Sequence, residues 1–404
     1  MRLRTLDDLG DLAGLRVFAR LDLNVPLDAG QITDDARIRA SVPTLRELLE
    51  REASIVAASH LGRPKGRSRE ELRLAPVASR LAELVGVGVD YIPADGVLNA
   101  EVEDVCRAIA LEPGRLVLLE NLRFDPGEEA NDRTFALRLA GLVDVYVDDA
   151  FGAIHRAHAS VAALPEILDE RGSPVAAGRL LEGEVAALSR LLEDPARPYV
   201  AILGGAKVSD KLGTIGALVD RVDALLIGGA MAFTFIAAQG GSVGQSLVEQ
   251  ERFDEVRSAR SRAEERGVLL QLPEDVVTAK EMVAGAANHV VPAAAVPPGE
   301  LALDIGPRTV DAFAGVIAEA KTILWNGPMG VFEMEPFDAG TRAVANAIAG
   351  SAAYRVAGGG DSLAAVSRFG LEGGFDHLST GGGASLEFLE GRELPGLAPL
   401  RRLA

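Results

Sequence analysis

Cysteine, histidine and aromatic side chains are all scarce in this chain. Of its 404 residues one is Cys, Cys106, five are His, one is Trp, and Phe, Trp and Tyr together make up 4%. One cysteine forbids a disulfide within the chain and any zinc site assembled from several thiolates, and it fits a reducing, cytoplasmic setting. His60 and His158 have no Glu or second His at metal-ligand spacing, so no zinc centre is read there. Long apolar runs are missing as well. The longest, Ala224 to Ala238, is 15 residues, is interrupted by Gly228 and Gly229, and falls short of the roughly 20 needed to cross a bilayer. The opening Met1-Arg2-Leu3-Arg4-Thr5-Leu6-Asp7-Asp8 lacks the apolar stretch of a secretory leader. Positive charge is short too: 41 Lys and Arg face 59 Asp and Glu, and the net charge is −18. No nucleic-acid or anionic-membrane surface is therefore expected. Neither Gly-x-x-x-x-Gly-Lys-Ser/Thr nor Gly-x-Gly-x-x-Gly occurs, which disfavours a phosphate-loop enzyme and a nicotinamide-dependent dehydrogenase.

What is present is ample apolar material, 48% of residues, in a chain two to three domains long at about 100 to 200 residues each. Strand-like runs occur at Leu15–Ala19, Ser54–Ala58, Gly88–Ile92, Leu116–Leu119 and Val143–Val147. A second series follows at Tyr199–Leu203, Ala224–Ile227, Val268–Leu272, Lys321–Trp325, Tyr354–Ala357 and His377–Ser379. Near-continuous apolar strands separated by amphipathic stretches, such as Val42, Leu45, Leu48 and Leu49, predict parallel sheets covered by helices on both faces. The fold class read from this pattern is α/β, with two doubly wound parallel-sheet, Rossmann-like domains joined by a hinge. The run Glu193-Asp194-Pro195-Ala196-Arg197-Pro198 is the clearest linker. The expected division is 1–178 for the first domain, 179–198 for a linker helix and hinge, and 199–388 for the second, with 389–404 packing back onto the first.

Four strand-like runs of the first half end in polar turns that carry a base: Arg20-Leu21-Asp22-Leu23-Asn24, Ser59-His60-Leu61-Gly62-Arg63, Glu120-Asn121-Leu122-Arg123 and Ala153-Ile154-His155-Arg156. In a parallel α/β sheet such ends converge, so the pattern predicts one cationic crevice for a multiply charged small anion. The background charge is negative and nearly equal in the two halves. Residues 1–178 hold 21 Lys and Arg against 30 Asp and Glu, leaving 20 against 29. An anion site must then rest on a few focused bases. A plain ion pair of Asp22 with Arg20 or Arg37 is the competing reading of that turn. Asp148 and Asp149 read as turn or capping residues.

Four strands of the second half end instead in glycine clusters: Gly204-Gly205-Ala206-Lys207, Gly228-Gly229-Ala230, Gly358-Gly359-Gly360-Asp361-Ser362 and Gly381-Gly382-Gly383-Ala384. Tight strand-to-helix turns favour glycine in any such sheet, but four clusters in one domain point to backbone N–H groups that bind phosphate. The stripe Val208, Leu212, Ile215, Val219 predicts a helix over 207–219, with Lys207 and Lys211 on one face of its first turns. Two cations at a helix N-terminus oppose the dipole, and either a bound polyphosphate or Asp210 with solvent must compensate them. Asp361 reads equally as a helix cap and as a group beside a nucleotide-bound metal. Glu333 alone reads as a surface carboxylate.

Taken together, Arg20–Pro26, Ser59–Pro64, Glu120–Phe124, Ala150–Ser160, Gly204–Lys211, Gly228–Phe235, Trp325–Glu333, Gly358–Ser362 and Ser379–Leu394 resemble the phosphoglycerate kinase family, in its order along nearly the whole chain. The resemblance implies a monomeric two-domain enzyme of glycolysis, with 3-phosphoglycerate or 1,3-bisphosphoglycerate on the first domain and Mg-ATP or Mg-ADP on the second. Asp22, Asn24, Arg37, His60, Arg63, Arg123 and Arg156 would form the phosphoglycerate site. Lys207, Asn326, Glu333, Gly359, Gly360, Asp361 and Ser362 would bind nucleotide, Glu333 at the ribose hydroxyls and Asp361 beside Mg²⁺. Arg37, Lys207 and Lys211 would be catalytic, and Gly381, Gly382 and Gly383 would support the transition state. Ala230 stands where members often have a third glycine, Ala302 precedes Asp304-Ile305-Gly306-Pro307 where some members place one, and Val161-Ala162-Ala163-Leu164-Pro165 departs from the usual continuation after Ser160. A non-catalytic binding protein for a phosphorylated metabolite is the alternative. Charges retained on both sides, at Arg37 and Lys207, argue against it.

Overall fold

The computed structural model describes residues 1–108 and 113–402. It divides into two compact units, 1–186 with 393–404, and 187–392. The final two residues of the expected 389–404 return lie outside the described residues.

The first unit is built on a six-stranded parallel sheet in the order Val89–Tyr91, Leu116–Leu118, Ser54–Ala58, Arg16–Leu21, Val145–Asp149, Val175–Ala177. Every residue of Ser54–Ala58 and of Val145–Asp149 is buried, as the near-continuous apolar runs require when helices cover both faces. The last of these strands, Val175–Ala177, is too short and too close to Pro174 and Gly178 to stand out in the sequence.

The second unit has its own six-stranded parallel sheet, ordered Leu269–Gln271, Ala224–Ile227, Tyr199–Leu203, Thr322–Asn326, Tyr354–Gly358, His377–Ser379. Counted along the chain this is the order three-two-one-four-five-six of a dinucleotide-binding sheet, which reverses direction between Tyr199–Leu203 and Thr322–Asn326. Trp325, fully buried in this core, stacks on Phe375 with centroids 6.1 Å apart and donates its indole N–H to the carbonyl of Gly327 at 2.8 Å. The unit also carries an antiparallel sheet of Asn288–Pro292, Asp275–Ala279 and Leu301–Ile305, which the strand reading of the sequence did not contain.

Two expectations need correction. The helix read over 207–219 begins only at Leu212, with Lys211 at its N-cap, so Lys207 and Lys211 do not share a helical face. The glycine turn continues through Ser209 instead, whose hydroxyl and amide are both held by Glu249 at 2.6 and 3.0 Å. The helix Arg179–Glu193 crosses the division of the units at 186/187, within the stretch 179–198 read as linker helix and hinge. Residues 389–392 stay with the second unit, where Glu390 accepts a hydrogen bond from Thr214 at 2.9 Å.

Candidate active site

In the first unit the bases converge at the carboxyl ends of the sheet, around the strands Arg16–Leu21 and Val145–Asp149 where its winding reverses. Arg37, in the first turn of the Ala36–Glu50 helix, pairs with Asp22 at 3.0 Å. Of the two ion-pair partners open to Asp22, Arg37 is the one found. Asn24 accepts the amide of Gly62 at 2.9 Å, and the Arg123 guanidinium donates to the carbonyl of Gly62 at 2.8 Å. These bonds tie three of the four turns together.

Asn121 organises the crevice without having been singled out in the sequence. Its Oδ1 accepts from the amides of Leu61 and Arg123, while its Nδ2 donates to the carbonyls of Leu61 and Leu72. An asparagine beside an arginine carries no periodic signal, so only the turn chemistry of Glu120-Asn121-Leu122-Arg123 could have suggested it.

Electrostatics show how close the groups are. Burial pushes the His60 imidazolium well below its ordinary range, and Arg20, Arg123, Arg37 and His158 push it further. His158 falls to about 4 by burial and by the charges of Arg123, Arg20 and Arg156. Both rings are therefore neutral at pH 7. Burial and the neighbouring Arg20 lower the Arg123 guanidinium as well. Arg63 and Arg156 are exposed, and neither makes a side-chain hydrogen bond or ion pair among the described residues. Arg20, by contrast, is fully buried and turned away from Asp22, toward Ser160 and His60. Asp148 accepts the amide of Ala150 at 2.9 Å, and Asp149 accepts the amides of Leu180 and Leu181 at the start of the Arg179–Glu193 helix, a turn and a capping use as expected.

In the second unit the glycine turns gather at the reversal point. Gly229 has φ +64°, and a Cβ there would lie 2.5 Å from the amide nitrogen of Gly205, so only glycine lets the two turns touch. Lys211 reaches across the reversal and donates to the carbonyls of Gly204 at 2.6 Å and Asn326 at 2.7 Å. Burial lowers its ammonium to about 8, against the opposing charges of Asp361 and Asp210. The side chain of Asn326 donates to the carbonyl of Gly358 at 2.9 Å, and the Ser362 hydroxyl accepts the amide of Gly327 at 2.6 Å. Gly359 is the N-cap of the helix Gly360–Phe369, so Asp361 lies within its first turn and is not the cap. Asp361, Lys207 and Glu333 are exposed and have no hydrogen bond or ion pair among the described residues. Gly382 caps the helix Gly383–Leu389, and the preceding turn is fixed by Ser379 and Ser385, whose hydroxyls lie 2.6 Å apart.

Beside these turns is a mainly apolar cavity of about 460 Å³, whose wall includes Gly205, Gly229, Phe233, Met329, Glu333 and Asp361. Ala230 and Ala302 both line it, so the cavity persists with a methyl group at each place where glycine was expected. Asp304, given no role in the sequence reading, is buried in the same wall and accepts the amides of Gly340 and Ile305 at 2.6 and 2.9 Å. Burial raises its carboxyl to about 8 despite those bonds.

Two doubly wound α/β units, one with cationic strand ends and one with glycine-lined strand ends beside an apolar cavity, define a two-unit protein of the Rossmann-like class. The chain belongs to the phosphoglycerate kinase family, whose model matches residues 6–392. It is 52% identical to a phosphoglycerate kinase of Thermomicrobium roseum over 398 residues, covering 98% of this chain and 99% of that one. A phosphoglycerate kinase of Parafrankia is 53% identical over 409 residues, covering 98% of this chain and all of the relative. The structure of phosphoglycerate kinase from Coxiella burnetii superposes with a TM-score of 0.87 at 42% identity, covering 99% of each chain.

Proposed function

We propose that the chain catalyses reversible, Mg²⁺-dependent phosphoryl transfer between 1,3-bisphosphoglycerate and ADP, giving 3-phosphoglycerate and ATP. The observation that carries this reading is that both units present anion-seeking groups at the carboxyl ends of their sheets, bases in one and glycine amides with lysines in the other. Transfer from an acyl phosphate needs no protein nucleophile, only alignment and donors for charge on the equatorial oxygens. Arg37, Lys207, Lys211 and the N–H groups of Gly381, Gly382 and Gly383 supply those donors. Asp22, Asn24, His60, Arg63, Arg123 and Arg156 hold the phosphoglycerate with Arg37. Asp22 and Asn24 orient Arg37 and the Gly62 turn, while the unpaired Arg63 and Arg156 offer forks to phosphate. Asn326, Gly359, Gly360 and Ser362 shape the phosphate end of the nucleotide site, and Glu333 takes the ribose hydroxyls.

Mg²⁺ favours hard oxygen donors and commonly keeps one or two protein carboxylates beside phosphate oxygens. Asp361, exposed at the glycine turn and without a side-chain hydrogen bond or ion pair among the described residues, fits that role. The ion would neutralise charge on the nucleotide oxygens. Closure of the units about a hinge would exclude water from the acyl phosphate. The enzyme acts as a cytoplasmic monomer without nucleic-acid or membrane partners, and the acidic net charge of −18 supports the lack of a surface for anionic partners.

Spectrophotometric assay of ADP formation from ATP and 3-phosphoglycerate tests the proposal. Turnover that depends on Mg²⁺ and is nearly abolished by Lys207→Ala is expected. Absence of turnover with Mg²⁺ and both substrates present would leave the non-catalytic binding protein as the reading.

A further inference from the structure

Arg20 is a fully buried arginine that touches no carboxylate among the described residues. Its Nε donates to Ser160 Oγ at 2.8 Å, one terminal nitrogen donates to the carbonyl of Leu21, and the other lies 3.2 Å from Nδ1 of His60. The serine is itself fixed. Its hydroxyl donates to Glu128 Oε1 at 2.6 Å, its amide donates to Glu128 Oε2 at 2.9 Å, and its carbonyl accepts from the Tyr146 hydroxyl at 2.8 Å. With its proton committed to Glu128, Ser160 Oγ has only lone pairs left for Arg20, so the guanidinium is locked in one orientation.

That orientation has a chemical consequence for His60. A guanidinium carries donors only and stays charged, so its contact with Nδ1 requires a lone pair on that nitrogen. We infer that Arg20 is a positioning residue that fixes His60 as the tautomer protonated on Nε2, presenting a neutral N–H donor to an oxyanion in the crevice. The other groups that face the ring act in the same direction. Arg123 and Arg37 oppose a second proton by charge, as does His158 when protonated, and burial opposes it as well. His60 thus contributes a directed hydrogen bond, while net positive charge in the crevice comes from the arginines. What the Nε2–H addresses rests on the phosphoglycerate site proposed above, whereas the tautomer itself does not.

The test is a long-range ¹H–¹⁵N correlation spectrum of the uniformly ¹⁵N-labelled full chain at neutral pH, with the His60 signals assigned by their loss in His60→Gln. A protonated, pyrrole-type Nε2 and a bare, pyridine-type Nδ1 are expected. Arg20→Met, which removes the donor, should populate the second tautomer and raise the KM for 3-phosphoglycerate about tenfold, the factor carried by one hydrogen bond to a charged group. Arg20→Lys, which is still a donor only, should retain the tautomer. A proton on Nδ1, or on both nitrogens, in the unsubstituted protein overturns the inference even if Arg20→Met fails to fold. An unmoved tautomer in a folded Arg20→Met overturns it too. If the tautomer is as expected but saturating 3-phosphoglycerate leaves the Nε2 signal unchanged, the substrate-site reading fails and the role of Arg20 stands.

Discussion

The ammonium of Lys211 donates to the main-chain carbonyl of Asn326 at 2.7 Å, joining the two strands between which the second sheet reverses direction. With the Gly204 carbonyl at 2.6 Å, the lysine is held by backbone alone. Lys211→Met should therefore do two things. It should leave two strand-end carbonyls without their cation, costing about 1 to 3 kcal/mol of stability in urea unfolding, and it should lower kcat by about a hundredfold or more.

The same lysine sets an alkaline limit. Its folded value of about 8 lies below the ordinary 10.5, so between those values the unfolded chain binds more protons than the folded one. Its contribution makes stability rise with pH in that window, while the charge available to phosphate falls. Activity should decline with a midpoint near pH 8 while the melting temperature shows no parallel loss from this group. A limb that coincided with unfolding would refute the assignment.

Arg37 owes its direction to Asp22, 3.0 Å away and buried. Arg37→Ala should cut kcat by about two to three orders of magnitude, as expected for a donor that meets developing charge. Asp22→Asn keeps the shape but weakens the hold, and should act chiefly on the KM for 3-phosphoglycerate. Steady-state kinetics with each substrate varied separates the two effects.

Gly229→Ala is predicted to be destabilising. The new methyl would meet both the amide nitrogen and the carbonyl oxygen of Gly205, at 2.5 and 2.7 Å, from a backbone at φ +64°. A cost of about 1 to 3 kcal/mol is expected in chemical unfolding, together with weaker nucleotide binding by calorimetry, because the two glycine turns can no longer touch. A variant as stable as the parent would show that the turns part freely.

Asp304 supplies a pH signature of the opposite kind. Its carboxyl is raised from 3.8 to about 8 by burial, so between these values the folded state binds the extra proton. Its contribution to stability is fully present below the unfolded value and is lost as pH rises through about 8. Melting temperatures of the parent protein should fall across this range relative to Asp304→Asn. Parallel profiles for the two would rule out a protonated Asp304 in the folded state.

The sequence was most legible where burial on two faces imposes uninterrupted apolar runs. Ser54–Ala58, Tyr199–Leu203 and Ala224–Ile227 are strands over the ranges read from them. In the small antiparallel sheet the strand Asn288–Pro292 is mostly exposed and has no such run, while the largely buried Asp275–Ala279 and Leu301–Ile305 have theirs interrupted by Thr278 and Asp304. The helix start at 207 was misplaced because Val208 fits a helical stripe, yet it is buried in a glycine turn held by Glu249, 40 residues away. Arg20 looked like a crevice base because it stands at a strand end. Its true surroundings are set by Ser160 and, through it, Glu128, and no local pattern announces partners 140 residues distant.

The amide of Arg4 donates to the carbonyl of Leu400, Leu3 bridges to Arg401, and Arg402 donates back to Arg2, all within the first unit. During synthesis, which proceeds from the amino end, that unit cannot close until residue 402 has left the ribosome, whereas the second is complete ten residues earlier, at 392. The unit begun first is thus finished last, and a nascent chain truncated just before residue 393 would carry a whole second unit beside a first unit still missing its seam.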